Sequence, residues 1–303
     1  MRRKPFFNIP QTSILLLTIS TFISSSIWAQ AQQATQFVEP IFRVNNEEDV
    51  NQTPKLAARI PAAAQAKLPF DLTQRPGEHP LQPALRMAQA ALVDIDTNVV
   101  DYSAILRKQE RIEGTLMPEE IAYIKVRNKP FAVYMFFLKP HKGRECLYPN
   151  TEGQLVAMDC GWRRKFGAIG LDPEGMLAMK DQKYPITKLG IRELTSELIN
   201  VASADVKFGE CEVTTIQNVM NGRPVTQITS IHPVKRNNFR YHRADIFVDN
   251  ELGLPVRYAA YSWPTSPGEK PQLEEAYTYI NLEVNKKFPA IAFDPDNPDY
   301  FKK

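Results

Sequence analysis

The sequence predicts an α+β protein, mainly antiparallel β, in which one large sheet carries helices against one face. Three observations predict this. Only two stretches from Pro80 onward have helical periodicity, too few to supply the crossovers of a parallel sheet. Runs rich in β-branched and aromatic residues fill most of what remains. Asn221-Gly222 separates two such runs, and a tight hairpin turn needs two residues that tolerate positive φ.

The elements follow in chain order. HPLQPALRMAQAALVDID spaces Leu81, Leu85, Ala88, Leu92 and Ile95 as one helical stripe. DYSAILRKQERIEG and EEIAYIKVRN read as the first two strands. KPFAVYMFFLKP follows with both faces apolar: Phe131, Val133, Met135 and Phe137 on one, Tyr134, Phe136 and Leu138 on the other. RECLY and QLVAMD are short strands around a hairpin at Asn150 to Gly153. IRELTSELINVASAD is the second helix, with Ile191, Leu194, Leu198 and Val201 on its stripe. Beyond it come YHRADIFVD, PVRYAAYSW and EAYTYINLEVN. Alternation in the last puts Thr278, Ile280, Leu282 and Val284 opposite Tyr277, Tyr279 and Asn281.

The first 31 residues read as a secretory signal peptide. Arg2, Arg3 and Lys4 precede an apolar stretch diluted by Ser and Thr, then Ala29-Gln30-Ala31. A retained anchor helix is the alternative, although the apolar stretch is short for a span. No later segment is long and apolar enough to cross a bilayer, and a secreted, periplasmic location is expected. The formal charge of +3 comes from 37 basic and 34 acidic residues. Without Arg2, Arg3 and Lys4 the remainder carries 34 of each, which removes the electrostatic case for nucleic acid. Residues 32–79, rich in Gln, Ala and Pro, read as a disordered tether in which FVEPIFRV (37–44) is a docking candidate. One domain is expected over 80–303.

Signatures of catalysis are sparse. There is no G-x-S-x-G, H-E-x-x-H or C-x-x-C, and no Gly-rich phosphate loop. His79, His141, His232 and His242 include no pair at metal-ligand spacing on a helix, although His232 and His242 flank one loop. Asp172 and Glu174 lie in a turn sequence. Asp294, Asp296, Asn297 and Asp299 lack the glycine and distal Glu of a calcium loop, so an extended, solvated tail is expected. No metal, cofactor or catalytic residue is assigned. Cys146, Cys160 and Cys211 are expected to be free thiols, since the Asn150 hairpin does not set Cys146 opposite Cys160. Lys235, Arg236, Arg240 and Arg243 cluster around Phe239 and Tyr241. They form either a charged hairpin tip or a rim for an anionic lipid or a partner's acidic surface. WRRK (162–165) carries the same two readings.

DYSAILRKQERIEG, KVRNKPFAVYM and LAMKDQKYPITKLGI resemble an uncharacterised bacterial family of the DUF1571 type. With YINLEVNKKFPAIAFDP they also make the chain, over roughly residues 84–296, similar to LolA/LolB-like lipoprotein carriers. That resemblance implies an incomplete antiparallel β-barrel closed by helices, with an apolar cavity for acyl chains. It implies a non-enzymatic protein whose partner is a lipid or lipoprotein acyl chain, with an envelope protein as a further candidate. The carriers latch their helical lid with an arginine just before a proline. Here Lys129 precedes Pro130, with Arg127 expected on the same face, and Phe131, Val133, Met135 and Phe137 are the implied cavity wall. Lys lacks the planar fork of Arg. The alternative is an envelope scaffold whose core is filled by its own side chains.

Overall fold

In the computed structural model the described residues are 68–266 and 268–302. The expected signal peptide, the tether up to residue 67 and the FVEPIFRV segment lie outside them. Helix α1 (Gln82–Asn98) leads into strands β1 (Asp101–Ile112), β2 (Thr115–Leu116), β3 (Glu120–Arg127), β4 (Ala132–Lys139), β5 (Glu145–Tyr148), β6 (Leu155–Met158) and β7 (Ile169–Leu171). Helix α2 (Ile191–Asp205) precedes β8 (Glu212–Met220), β9 (Arg223–Ile231), β10 (Arg243–Asp249), β11 (Pro255–Tyr261) and β12 (Leu273–Val284). The strands form a 12-stranded sheet in the order β7-β6-β5-β4-β3-β1-β12-β11-β10-β9-β8, with β2 paired to β1. Among the described residues the ladders are antiparallel, from β1 with β12 to β8 with β9. The sheet is open and curved: β7 and β8 are its free edges, as an incomplete barrel requires.

The expected elements are present. Asn221 (φ 51°) and Gly222 (φ 77°) make the β8–β9 turn, both left-handed. At the start of α2, Gly190 has φ 121°, and a Cβ there would lie 2.7 Å from the Tyr102 hydroxyl. That fully buried hydroxyl accepts the Ile191 N–H at 2.9 Å, so glycine lets a strand tyrosine satisfy one orphan donor of the helix. The main core joins Ile95 of α1 and Ile191 of α2 to the inner face of the sheet: Tyr102, Leu106, Ile124, Val133 and Tyr279.

Three expectations need correction. The alternation expected through β12 breaks at Asn281, whose φ is +53°. The β1–β12 register slips between Ser103 and Ile105, so β12 carries one extra residue there. Leu282 and Val284 therefore join Tyr279 in the core, on the side opposite to that expected. The end of the tether is also folded. Phe70 and Leu72 pack against Met87, Ile228 and Val248, while Arg86 donates to the Thr73 carbonyl at 2.9 Å.

The third correction concerns the tail, which is docked rather than solvated. Asp101, buried at the head of β1, accepts the N–H groups of Lys287 (3.0 Å) and Phe288 (2.7 Å). From there the chain runs along the outer face of β3, β4 and β5. Phe293 packs against Ala132, and Tyr300 stacks on Tyr134 with ring centroids 3.8 Å apart. Asp294 and Asn297 cap local turns through the N–H groups of Asp296 and Asp299. The second apolar face of KPFAVYMFFLKP is thus covered by the chain's own residues 288–302.

Candidate functional site: a cavity under the second helix

The inner face of the sheet does not pack fully against the helices. Between β4, β6 and β12 on one side, and α2 with the segment preceding it on the other, lies a cavity of about 850 Å³. Its apolar wall includes Met135 and Phe137 of β4 with Leu155 and Met158 of β6, and Leu189 and Leu194 roof it. Phe166, Ile169 and Leu177 also line it and are themselves exposed, so they form its rim.

The other end is polar. Glu110 of β1 and Glu275 of β12 are both buried and both reach the cavity. Tyr277 donates to Glu110 at 2.6 Å, and the backbone N–H of Lys183 donates to the same carboxylate at 2.9 Å. Glu275 accepts from Tyr241 (2.7 Å) and Tyr184 (3.1 Å) and pairs with the Lys183 ammonium at 2.7 Å. Burial pushes the phenols of Tyr184, Tyr241 and Tyr277 well above their ordinary pKa, and the adjacent carboxylates push the same way. All three therefore stay protonated, as donation requires. Lys108, paired with Glu120 at 2.8 Å, completes the floor, in which two ammonium groups serve three carboxylates. Through Lys183 and Tyr184, this cluster holds the roof segment onto the sheet.

The residues singled out from sequence fall in several places. Phe131, Val133, Met135 and Phe137 all belong to the inner core cluster. Met135 and Phe137 reach the cavity wall, whereas Val133 is sealed in the core and Phe131 packs beside Tyr148. Lys129 pairs with Asp96 at 3.2 Å near the end of α1, and Arg192 in the first turn of α2 pairs with the same carboxylate at 2.8 Å. The Arg192 hydrogen bond leads in holding the Asp96 carboxyl below its usual range. Lys129 thus touches the helical layer. Arg127 does not: its guanidinium lies over Phe293 at 4.9 Å and donates to the Pro130 carbonyl, on the outer face. The expectation of a shared face fails because the chain turns immediately after Arg127, where β3 ends.

The basic loop between β9 and β10 is largely committed to local partners. Arg236 pairs with Glu210, Arg240 with Glu197 and the Tyr184 hydroxyl, and Arg243 with Asp245 at 2.9 Å. Arg240 alone meets cavity-lining residues, while Lys235 is exposed at the tip. Phe239 and Tyr241 point inward, and Phe239 stacks on His232 at 3.8 Å. The His232 backbone N–H donates to the His242 carbonyl at 2.8 Å, and Nδ1 of the His242 ring lies 2.9 Å from the His232 carbonyl oxygen, so no ring-to-ring contact joins the two. The His232 ring binds Asp205 at 3.0 Å, and His242 lies beside Trp263. Asp172 caps an exposed turn through the Glu174 N–H. The three cysteines are free, and Cys146 stands opposite Ala157, away from Cys160.

The sequence reading missed the floor. Its signal was available: Lys108 and Glu110 continue the parity of Tyr102, Ala104 and Leu106, which placed charge on a face otherwise destined for the core.

Fold and site define an α+β protein whose open antiparallel sheet curves over a ligand-sized cavity with an apolar wall and a polar floor. Residues 99–301 match the family described as protein of unknown function (DUF1571), and the chain belongs to that family. Its structure is similar to MucB (TM-score 0.40, 13% identity), covering 69% of this chain and 62% of MucB, less than two thirds of that protein's length. It is also similar to the lipoprotein LppX of Mycobacterium tuberculosis (TM-score 0.39, 11% identity, covering 69% of this chain and 98% of LppX). A LolA superfamily protein from Nitrosomonas europaea is a further likeness (TM-score 0.25, 10% identity, 69% and 96% covered). Comparison with curated proteins yields no match. Among the described residues, no helix is long and apolar enough to cross a membrane.

Proposed function

We propose that this chain is a secreted, periplasmic protein that binds the apolar chain of an envelope lipid or of a lipoprotein's acyl group. It performs no covalent chemistry. The observation that carries the reading is the cavity of about 850 Å³ behind Met135 and Phe137, a size typical of small-ligand sites and too large for a self-filled core. Each methylene moved from water to such a wall gains about 0.8 kcal/mol, so ten supply about 8 kcal/mol before ordering costs. Met135 and Met158 adapt to a flexible chain better than branched residues would. The hydroxyls and charges at the floor suit a ligand with a polar end. Lys129 and Arg192, meeting at Asp96, would hold the helices over the sheet as a latch.

Native mass spectrometry of the protein purified from its own cell envelope is the test, with a bound lipid as the expected result. Leu155→Trp, which fills the apolar end, should weaken binding of a fluorescent fatty acid about tenfold or more. An apoprotein that also ignores the fatty acid would overturn the proposal.

A further inference from the structure

We propose that the turn Gly161–Phe166 and the rim beside it form a docking surface for an anionic phospholipid bilayer. The turn reads GWRRKF and winds as a 3-10 helix between β6 and β7. Its middle residue is an anchor. Arg164 donates to the Gly143 carbonyl at 2.6 Å, to Glu145 at 2.5 Å and to the Lys302 carbonyl. With Arg164 held down, its neighbours face outward: Trp162 and Phe166 are each 68% exposed, edge to face at 5.8 Å. Two further cations, Arg163 and Lys165, lie between them in the chain. Arg163 lies 5.7 Å from the Trp162 ring, and Lys165 lies 5.2 Å from Trp162 and 5.3 Å from Phe166.

Exposed apolar residues are ordinary when scattered, but here they are concentrated. Ile169, Met176 and Leu177 continue the patch, and Met176 is 90% exposed. Phe166, Ile169 and Leu177 also line the cavity, so the patch borders its mouth. Trp and Phe interleaved with Lys and Arg is the composition of a surface that sits among lipid headgroups, with rings at the acyl boundary and cations at anionic phosphates. The turn itself has three basic residues and no acidic one. Asp159 pairs with Arg163 at 3.4 Å, and Asp172, Glu174 and Asp181 lie on the neighbouring loop. Aromatic insertion therefore supplies most of the hold, and charge supplies the preference for anionic lipid.

The test is co-sedimentation of the protein without its expected signal peptide, residues 32–303, with vesicles of phosphatidylethanolamine and phosphatidylglycerol, against vesicles of phosphatidylcholine alone. The protein is expected to pellet with the anionic vesicles and to be released by added salt. Trp162→Ser/Phe166→Ser and, separately, Arg163→Glu/Lys165→Glu should each weaken binding about tenfold. The control Val93→Ser/Val100→Ser, which alters exposed apolar residues elsewhere, should bind as the parent does. No binding by the parent, equal binding to neutral vesicles, or unchanged binding by both patch variants would each overturn the proposal.

Discussion

Glu110 and Glu275 stand directly opposite each other across β1 and β12, and both are buried. Like charges in that relationship repel, and a buried carboxylate is costly without partners. Here every partner but Lys108, Tyr241 and Tyr277 comes from the segment that roofs the cavity: the Lys183 backbone, the Lys183 ammonium and the Tyr184 hydroxyl. The repulsive pair thus acts as a double hook for the roof.

Removing one hook leaves Lys183 without its carboxylate. Glu275→Ala should cost about 3–5 kcal/mol in urea unfolding, as breaking a buried ion pair does. Tyr277→Phe removes one phenol donor and should cost about 1–3 kcal/mol. Equal, negligible losses for both would show that the roof is held otherwise.

The outer face yields a second prediction. Lys125 sits 5.2 Å from the ring of Tyr300 and 5.5 Å from that of Tyr134, and donates to the Tyr300 hydroxyl at 2.9 Å. Burial lowers the pKa of this ammonium. Tyr300→Ala should destabilise the domain by about 3–5 kcal/mol, whereas Tyr300→Phe, which keeps the stack, should cost about 1–2 kcal/mol. A tail that contributes nothing would show no difference between them.

His232 gives a pH dependence. Burial alone would lower its pKa, but hydrogen bonds to Asp205 and the Glu210 carbonyl outweigh it and raise the net value. A folded pKa above the unfolded value of about 6.5 means the imidazolium stabilises the fold fully at lower pH and loses that contribution as pH rises. The urea midpoint of the parent should therefore fall, relative to His232→Gln, as pH rises from about 6.5 through the raised pKa of the folded imidazole. Parallel profiles for the two proteins would refute this.

Thiol chemistry supplies a fourth check. Burial pushes the thiols of Cys146 and Cys211 up to about 12. In a Cys160→Ser background both should react with a disulfide reagent at about pH 8 at least a hundredfold slower in the folded than in the unfolded protein.

Much of this was legible in the residues because it is local. The stripe of Ile191 and Leu194, the Asn221-Gly222 turn and the two-sided β4 each follow from a few adjacent side chains. Asn281 shows where local reading ends. Asn tolerates positive φ, yet nothing beside it tells that β12 gains a residue against β1 at this point. The same holds for the site. Met135 and Phe137 were visible as a large apolar face, but Glu110 and Glu275 lie 165 positions apart and become one cluster only through the β1–β12 ladder. The tail was misread for that reason too: Asp, Asn and Pro dominate its composition, while its two buried rings need a sheet assembled elsewhere to have any meaning.

The docked tail also sets an order of events. The Phe301 N–H reaches Glu145 across 156 positions, and Lys125 reaches Tyr300 across 175. A chain delivered from its N-terminus would present β3, β4 and β5 long before their outer covering arrives, with Tyr134 and Phe136 bare meanwhile. Synthesis would therefore be this domain's most aggregation-prone moment, when a holding chaperone would be of most use.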